Sequence, residues 1–269
     1  MSAVTVRSLR AMKARGERIA ALTAYDYSFA CLLEAAGLDI LMVGDSLGMV
    51  VQGHDATLPV TLDQMVYHSA CVARARRRAL QVVDLPFGVY QAGPAEAWRA
   101  AARLMAEGGA QVVKLEGGAV MADTVRFLTA RGIPVCAHLG LTPQSVHQLG
   151  GYRVQGRDAQ EAERLLEDAR ALEDAGASLL VLEAVPSVLA AEVTAALDIP
   201  TLGIGAGPHC DGQVLVLYDM LGLYPGHTPK FCRNFMADHA SVPDALRAYV
   251  QAVRDGSFPA AEHSYDAPA

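Results

Sequence analysis

Residues 162–186 read AERLLEDARALEDAGASLLVLEAVP, and the two halves of this stretch have different periods. In the first half Ala162, Leu165, Leu166, Ala169 and Leu172 recur at helical spacing, which makes one face apolar and leaves the acidic and basic residues on the other. Gly176 then ends the helix, because a C′ position asks for a left-handed backbone that glycine adopts without strain. In the second half residues 179–182 are continuously apolar, as expected of a parallel strand covered on both faces. The stretch is therefore a helix leading into a buried strand.

The same unit repeats outward in both directions. Apolar runs predict further strands at 19–24, 40–43, 80–83, 112–115, 135–137, 201–204 and 214–217. Ala95, Trp98, Ala102 and Met105 mark another amphipathic helix, and Gly37, Gly108 and Gly132 stand where Gly176 does. Eight strands alternating with helices is the count of a (β/α)8 TIM barrel, an α/β fold. Units of this length also fit an open doubly wound sheet. No linker or shift in composition interrupts the repeats, so residues 1–269 read as a single barrel domain with an N-terminal helix and a short C-terminal tail. The basic start, with Arg7, Arg10, Lys13, Arg15 and Arg18, is expected to be that helix, with Val6, Leu9, Met12 and Ala14 on its inner side, rather than a transit peptide.

Composition narrows the class of function. The 29 acidic residues outnumber the 22 Lys and Arg, for a net charge of -7, so no broad basic surface is expected and nucleic acid is excluded as a partner. The 5 cysteines are scattered, with no C-x-x-C pair, which speaks against a disulfide scaffold or thiolate cage and for a reduced, cytoplasmic setting. No apolar run is long enough for a membrane span.

Two connections exceed the usual βα loop length. Residues 44–60 contain VVQGH at 50–54, expected as a small hairpin, and residues 139–157 contain GGYRVQG at 150–156. Both follow strands, at the end of a barrel where active sites are built, and both are expected to act as lids.

The residues just after the predicted strands carry an excess of acids: Asp26, Asp45, Asp84, Glu116, Glu183 and Asp219. Carboxylates gathered at one end of a barrel repel one another and lose hydration, so a cation is expected to compensate them. The donors are oxygens, with neither an H-x-x-x-H pair nor a cysteine cluster, which favours Mg2+ over Zn2+. Asp26 and Asp219 read equally well as helix caps. Lys114 and Glu116 share one side of a strand, so Lys114 either attracts an anionic substrate or pairs with Glu116. Glu183 has the most apolar surroundings of any acid here, a setting expected to raise its pKa toward that of a general base. His138 is placed to donate a hydrogen bond or carry a proton. The run Gly203-Ile204-Gly205-Ala206-Gly207 is expected as a tight turn rather than a phosphate site, and Arg74, Arg76, Arg77 and Arg78 as solvated surface.

Taken together, the local sequences TAYDY (23–27), VGDSLG (43–48), VQGH (51–54), DLPF (84–87), KLEGG (114–118), HLGLTPQ (138–144), GIGAG (203–207), PKF (229–231) and EHSY (262–265) resemble the ketopantoate hydroxymethyltransferase family. The resemblance implies a cytoplasmic, Mg2+-dependent barrel enzyme of pantothenate biosynthesis. Such an enzyme moves a hydroxymethyl group from 5,10-methylenetetrahydrofolate to 3-methyl-2-oxobutanoate by way of an enolate. It further implies metal-site acids at Asp45, Asp84 and Glu116, a base at Glu183, substrate contacts at Asp45, Ser46, Asp84, Lys114 and His138, and a homo-oligomer, commonly a decamer. Val83 and the turn Pro208-His209-Cys210 depart from the usual pattern, away from these positions. The nearest rival is a Mg2+-dependent 2-oxo acid carbon-carbon lyase of the phosphoenolpyruvate mutase/isocitrate lyase type. Such lyases carry a Lys-Cys-Gly-His motif, and none is present here.

Overall fold

The computed structural model describes residues 2–266. The apolar runs become eight strands: β1 (Ile19–Thr23), β2 (Ile40–Val43), β3 (Leu80–Asp84), β4 (Val112–Glu116), β5 (Val135–Gly140), β6 (Leu179–Glu183), β7 (Thr201–Ile204) and β8 (Gly212–Leu215). Each pairs in parallel with the next, and β8 returns to pair with β1 through Ile19 opposite Gly212 and Leu22 opposite Leu215. That last pairing distinguishes a closed barrel from an open sheet, and the sheet is closed.

Helices cover the outside because their apolar stripes match the outward faces of the strands. The helix Ala159–Asp174 buries Leu165, Ala169 and Leu172, and the helix Pro94–Ala106 buries Ala97, Ala100, Ala101 and Leu104. The helix Val242–Asp255 lies over the closing seam, where the buried Tyr249 hydroxyl donates to Ala21 O at 2.8 Å on β1 and lies 3.1 Å from Gln213 O on β8. Phe235 and Phe258 pack edge-on against one another and around the same ring. At the other end of the barrel the helix Val6–Ala14 starts with a Thr5/Ser8 capping box and buries Leu9, while Lys13 reaches Asp211 at 2.9 Å just before β8. Among the described residues no helix is long and apolar enough to cross a membrane.

Four local expectations change. The eighth strand starts at Gly212 rather than residue 214, and it ends sooner because Leu217 N donates to Thr23 Oγ1 at 2.8 Å and opens a short helix. Gly212 fits only without a side chain, since a Cβ there would run into Ile19 O of β1. Residues 50–54 form no hairpin; Leu47–Val50 is one helical turn, closed by Val51 N to Leu47 O (2.9 Å) and His54 N to Gly48 O (2.8 Å). The left-handed residue after the helix Pro94–Ala106 is Gly109 (φ 72), while Gly108 is where that helix meets Ser69. Arg78 is not solvated: it bonds Gly37 O, Leu38 O and Asp39 Oδ1, the last at 3.0 Å.

Candidate active site

The pleat sends alternate residues of each strand into the barrel, so the residues at the C-terminal strand ends share one opening. Asp84 ends β3, Lys114 and Glu116 lie two apart on β4, His138 is on β5, and Glu183 ends β6. Asp45 and Ser46 follow β2. All seven line one cavity of about 610 Å³. The site brings together every residue the sequence pointed to except Asp26, which caps the helix Tyr27–Ala36 by accepting from Phe29 N at 2.9 Å.

Register decides who pairs with whom. Asp84 stands opposite Lys114 across β3 and β4, and its Oδ1 accepts from Lys114 Nζ at 2.8 Å. Lys114 therefore pairs with Asp84 rather than with its strand-mate Glu116. The other Asp84 oxygen accepts from Asp45 N at 3.1 Å. Glu116 stands opposite His138, and His138 lies between two acids, with Nδ1 3.3 Å from Glu116 Oε1 and Nε2 3.2 Å from Glu183 Oε2, both off the ideal hydrogen-bond line. Glu183 thus has a basic neighbour, rather than the purely apolar setting its flanking residues suggest. Ser46 Oγ is 2.9 Å from the hydroxyl of Tyr25.

Two residues that the sequence reading did not single out complete the network. Gln144, buried in the 139–157 connection, donates through Nε2 to Asp45 Oδ2 (2.8 Å) and Leu85 O (2.9 Å), and its backbone N–H donates to Glu116 Oε2 at 3.0 Å. Tyr90 donates to Gln144 Oε1 at 2.6 Å and accepts from Glu116 N at 3.1 Å. An amide can donate and accept at once, and here Nε2 serves the Asp45 carboxylate while Oε1 serves the Tyr90 phenol. Gln144 follows Pro143 inside a mostly apolar loop, a weak sign of a buried role; nothing marks Tyr90.

The electrostatics follow from burial and crowding. Burial first, then Asp84 and Glu116, raise the Asp45 carboxyl well above its usual range, against the opposing pull of Lys114 and Gln144. Burial and Lys114 press the His138 pKa down, but Glu116 and Glu183 outweigh them and lift it to about 9. Burial likewise works against the charge of Lys114, and Asp84, Glu116 and Asp45 overcome it and raise its pKa. Four acids, Asp45, Asp84, Glu116 and Glu183, thus face two basic groups, Lys114 and His138, and the raised Asp45 carboxyl is the sign of that surplus.

That surplus, carried by oxygen donors, fits Mg2+. Among the described residues no three His, Cys, Asp or Glu side chains converge into a metal cage. Mg2+ needs none, because it is commonly held by one or two carboxylates and completed by substrate oxygens and water. Asp45 and Asp84 are the adjacent pair able to supply them. Both oxygens of Glu116 already face His138 and Gln144.

The long connections and the C-terminal segment roof the cavity. Met49 of 44–60 and Tyr152 of 139–157 touch, with the Tyr152 hydroxyl 3.6 Å from Met49 Sδ. Lys230, Phe231 and Tyr265 add to the wall; Lys230 Nζ donates to Ser264 O at 2.7 Å, and Ser187 N donates to Tyr265 O at 2.9 Å. Chain as far as Tyr265 thus takes part in the cavity wall. The glycine run is a turn packed too closely for side chains: Gly205 (φ 64) abuts the Phe231 ring and Gly207 (φ 75) abuts Ser187.

Comparison with known proteins identifies the family. The model of the ketopantoate hydroxymethyltransferase family matches residues 3–261. The chain is 65% identical over 262 residues to a 3-methyl-2-oxobutanoate hydroxymethyltransferase of Thiobacillus denitrificans, covering 97% of this chain and 99% of that one. It is 62% identical over 263 residues to the protein of the same name from Aromatoleum aromaticum, covering 97% of each. In fold it is similar to 2,3-dimethylmalate lyase, a PEP mutase/isocitrate lyase superfamily member, with a TM-score of 0.59 at 20% identity over 81% of this chain and 82% of that one.

Proposed function

The chain belongs to the ketopantoate hydroxymethyltransferase family, and from that premise we propose that it transfers a hydroxymethyl group from 5,10-methylenetetrahydrofolate to 3-methyl-2-oxobutanoate, forming 2-dehydropantoate for pantothenate biosynthesis. The observation that carries the reading is the pairing, in one cavity, of a carboxylate couple short of a divalent cation with Glu183 and its neighbour His138. Mg2+, when bound, supplies a Lewis acid for the negative charge that develops on the keto oxygen. Asp45 and Asp84 would hold it, and Glu116, whose oxygens face His138 and Gln144, would add negative charge nearby.

The remaining work falls to the chain's own groups. Lys114 draws the anionic substrate and fixes Asp84. Glu183 takes the C3 proton of 3-methyl-2-oxobutanoate, and His138 at 3.2 Å steadies the carboxylate before transfer. Water adds to the one-carbon unit and its two bonds to folate nitrogen break, releasing tetrahydrofolate and a carbon at the formaldehyde level. The nucleophilic carbon bonds to that carbon, and its oxygen, supplied by the water, takes back the proton held by Glu183 and becomes the hydroxyl. Ser46, held by Tyr25, lines the substrate side, and the two long connections keep bulk water away from the reacting carbon. The protein works as one barrel domain, in the cytoplasm, as a homo-oligomer, with the decamer of the resemblance as the expected state.

The lyase reading fits less well. The likeness to that superfamily is one of fold, and no cysteine is among the described residues lining the cavity to serve as its acid. An assay of 2-dehydropantoate formation from both substrates, with Mg2+ and with a chelator, tests the proposal. Product that requires both folate and Mg2+ is expected; absence of product with every component present overturns it.

A further inference from the structure

The strands divide the inside of the barrel between two kinds of side chain. Asp45, Asp84, Lys114, Glu116 and His138 all come from β3 to β5 or the turn after β2, whereas β7 and β8 line the cavity with apolar residues alone, among them Ile204 and Val214. Strand β6 is the border, with Val181 in the cavity wall and Glu183 two residues further on. Register fixes what stands beside Glu183. Its partner on β5 is Gly140, which has no side chain, and its partner on β7 is Ile204. Val181, one layer deeper, stands opposite His138. Gly203 stands opposite Gln213, so Ile204 and Val214 follow side by side. Partners on neighbouring parallel strands point to the same face, with about 4.8 Å between the strands. Glu183 Oε2 leans toward β5, where His138 Nε2 lies 3.2 Å away, so the flank of Glu183 toward Ile204 and Val214 is its apolar one.

The oxo acid is divided in the same way. Its carboxylate and keto oxygen call for cations and donors, while C3 carries two methyl groups and the proton that the base must reach. With the oxygens on the charged half and C3 at Glu183, the methyl groups fall on the apolar half. Ile204 is 9% exposed, and as a cavity-lining residue it offers that surface to the ligand. We propose that Ile204 packs against the C3 methyl groups and, with Val181 beneath and Val214 beside it, sets how large a C3 branch the enzyme accepts. Ile204 is then a specificity-determining residue, and the class of substrate is a 2-oxo acid with a small branched alkyl group at C3. This rests on the function proposed above and deepens it.

The test compares 3-methyl-2-oxobutanoate with 3-methyl-2-oxopentanoate, which carries one more methylene on C3. Exchange of the C3 proton with deuterated water, followed by NMR with Mg2+ present and no folate, gives a rate for each acid. Ile204→Ala should raise the ratio of the larger acid's rate to the smaller's by roughly 10- to 100-fold, because one methylene in an apolar pocket is discriminated by about that much. Ile204→Val keeps a β-branched residue in the strand and should move the ratio the same way by a smaller factor. An isoleucine that served only to fill the barrel would, when cut back, lower both rates alike. A ratio within about twofold of the parent's in both variants therefore overturns the proposal. If the parent exchanges the C3 proton of neither acid, the underlying reading falls, and the role of Ile204 falls with it.

Discussion

Replacing Gln144 with leucine, a residue of similar volume, removes the amide that ties the 139–157 connection to the carboxylate pair. The backbone N–H to Glu116 survives, so the loss is specific to four side-chain contacts: the donation to Asp45 Oδ2 at 2.8 Å, the donation to Leu85 O at 2.9 Å, and the acceptance from Tyr90 at 2.6 Å and from Gln91 Nε2 at 3.2 Å. A hydrogen bond to a carboxylate acceptor contributes about 1.5–3 kcal/mol, and a buried phenol that loses its close acceptor and keeps only Glu116 O at 3.4 Å costs at most about 1–3 kcal/mol. Only the first of these bears on the metal. Converted to binding, about 1.5–3 kcal/mol is roughly a 10- to 100-fold loss of Mg2+ affinity, the range typical when an outer partner of a metal ligand is removed. Calorimetric titration of Mg2+ in the presence of 3-methyl-2-oxobutanoate reads that number, and a thermal melt of the same sample reads the loss of stability from Tyr90. A folded variant that bound Mg2+ within about twofold of the parent would refute the idea that Gln144 holds Asp45 in place.

Three other outcomes are expected. Glu183→Gln should slow exchange of the substrate's C3 proton with deuterated water by about 10²- to 10⁴-fold, as seen by NMR without the folate; an unchanged rate would pass the role of base to His138. Asp84→Asn should weaken Mg2+ binding in calorimetry and also lower the melting temperature, because it leaves the buried Lys114 ammonium without its charge partner; an unaltered metal affinity would remove Asp84 from the metal site. Asp219→Asn should be more stable than the parent at pH 8, with the gap closing by about pH 4. The native pKa of Asp219 is raised from 3.8 to about 6, so its ionisation destabilises the fold above that value and not below the unfolded one, by on the order of 1–2 kcal/mol after allowance for partial exposure. Its neighbours Tyr25 and Cys232 are neutral throughout that range and do not reverse the sign. Parallel melting curves at both pH values would contradict it.

The strands were legible because a strand covered on both faces must be written as a run of apolar residues, and the acids ending β3, β4 and β6 stood out against those runs. Pairing was not legible. Lys114 has an acid two residues away along its own strand, yet its partner is Asp84 on β3, because the barrel's register sets the two side by side. Glu183 looks isolated in LLVLEAVP, yet His138 reaches it from β5. Strand β8 was placed late because Gly212 and Gln213 have little preference for strands, and close approach to β1, rather than propensity, puts them there. Gln144 and Tyr90 are uncharged, and a neutral residue that organises charged ones leaves no pattern in a single chain. The excess of oxygen donors pointed to Mg2+ by itself; the substrates came from the resemblance to a known family, and no residue pattern alone would have named them.

The closing seam between β1 and β8 has a consequence for making the protein. During synthesis β1 emerges long before β8, and until the two meet, an apolar strand edge stands open to any other chain. Tyr249 sits across that seam, with its hydroxyl bonded to β1 and beside β8, and it touches no residue of the proposed chemistry. Damage there, such as Tyr249→Phe or a larger change, should therefore be felt in the amount of soluble protein recovered rather than in the turnover of each molecule that completes its barrel.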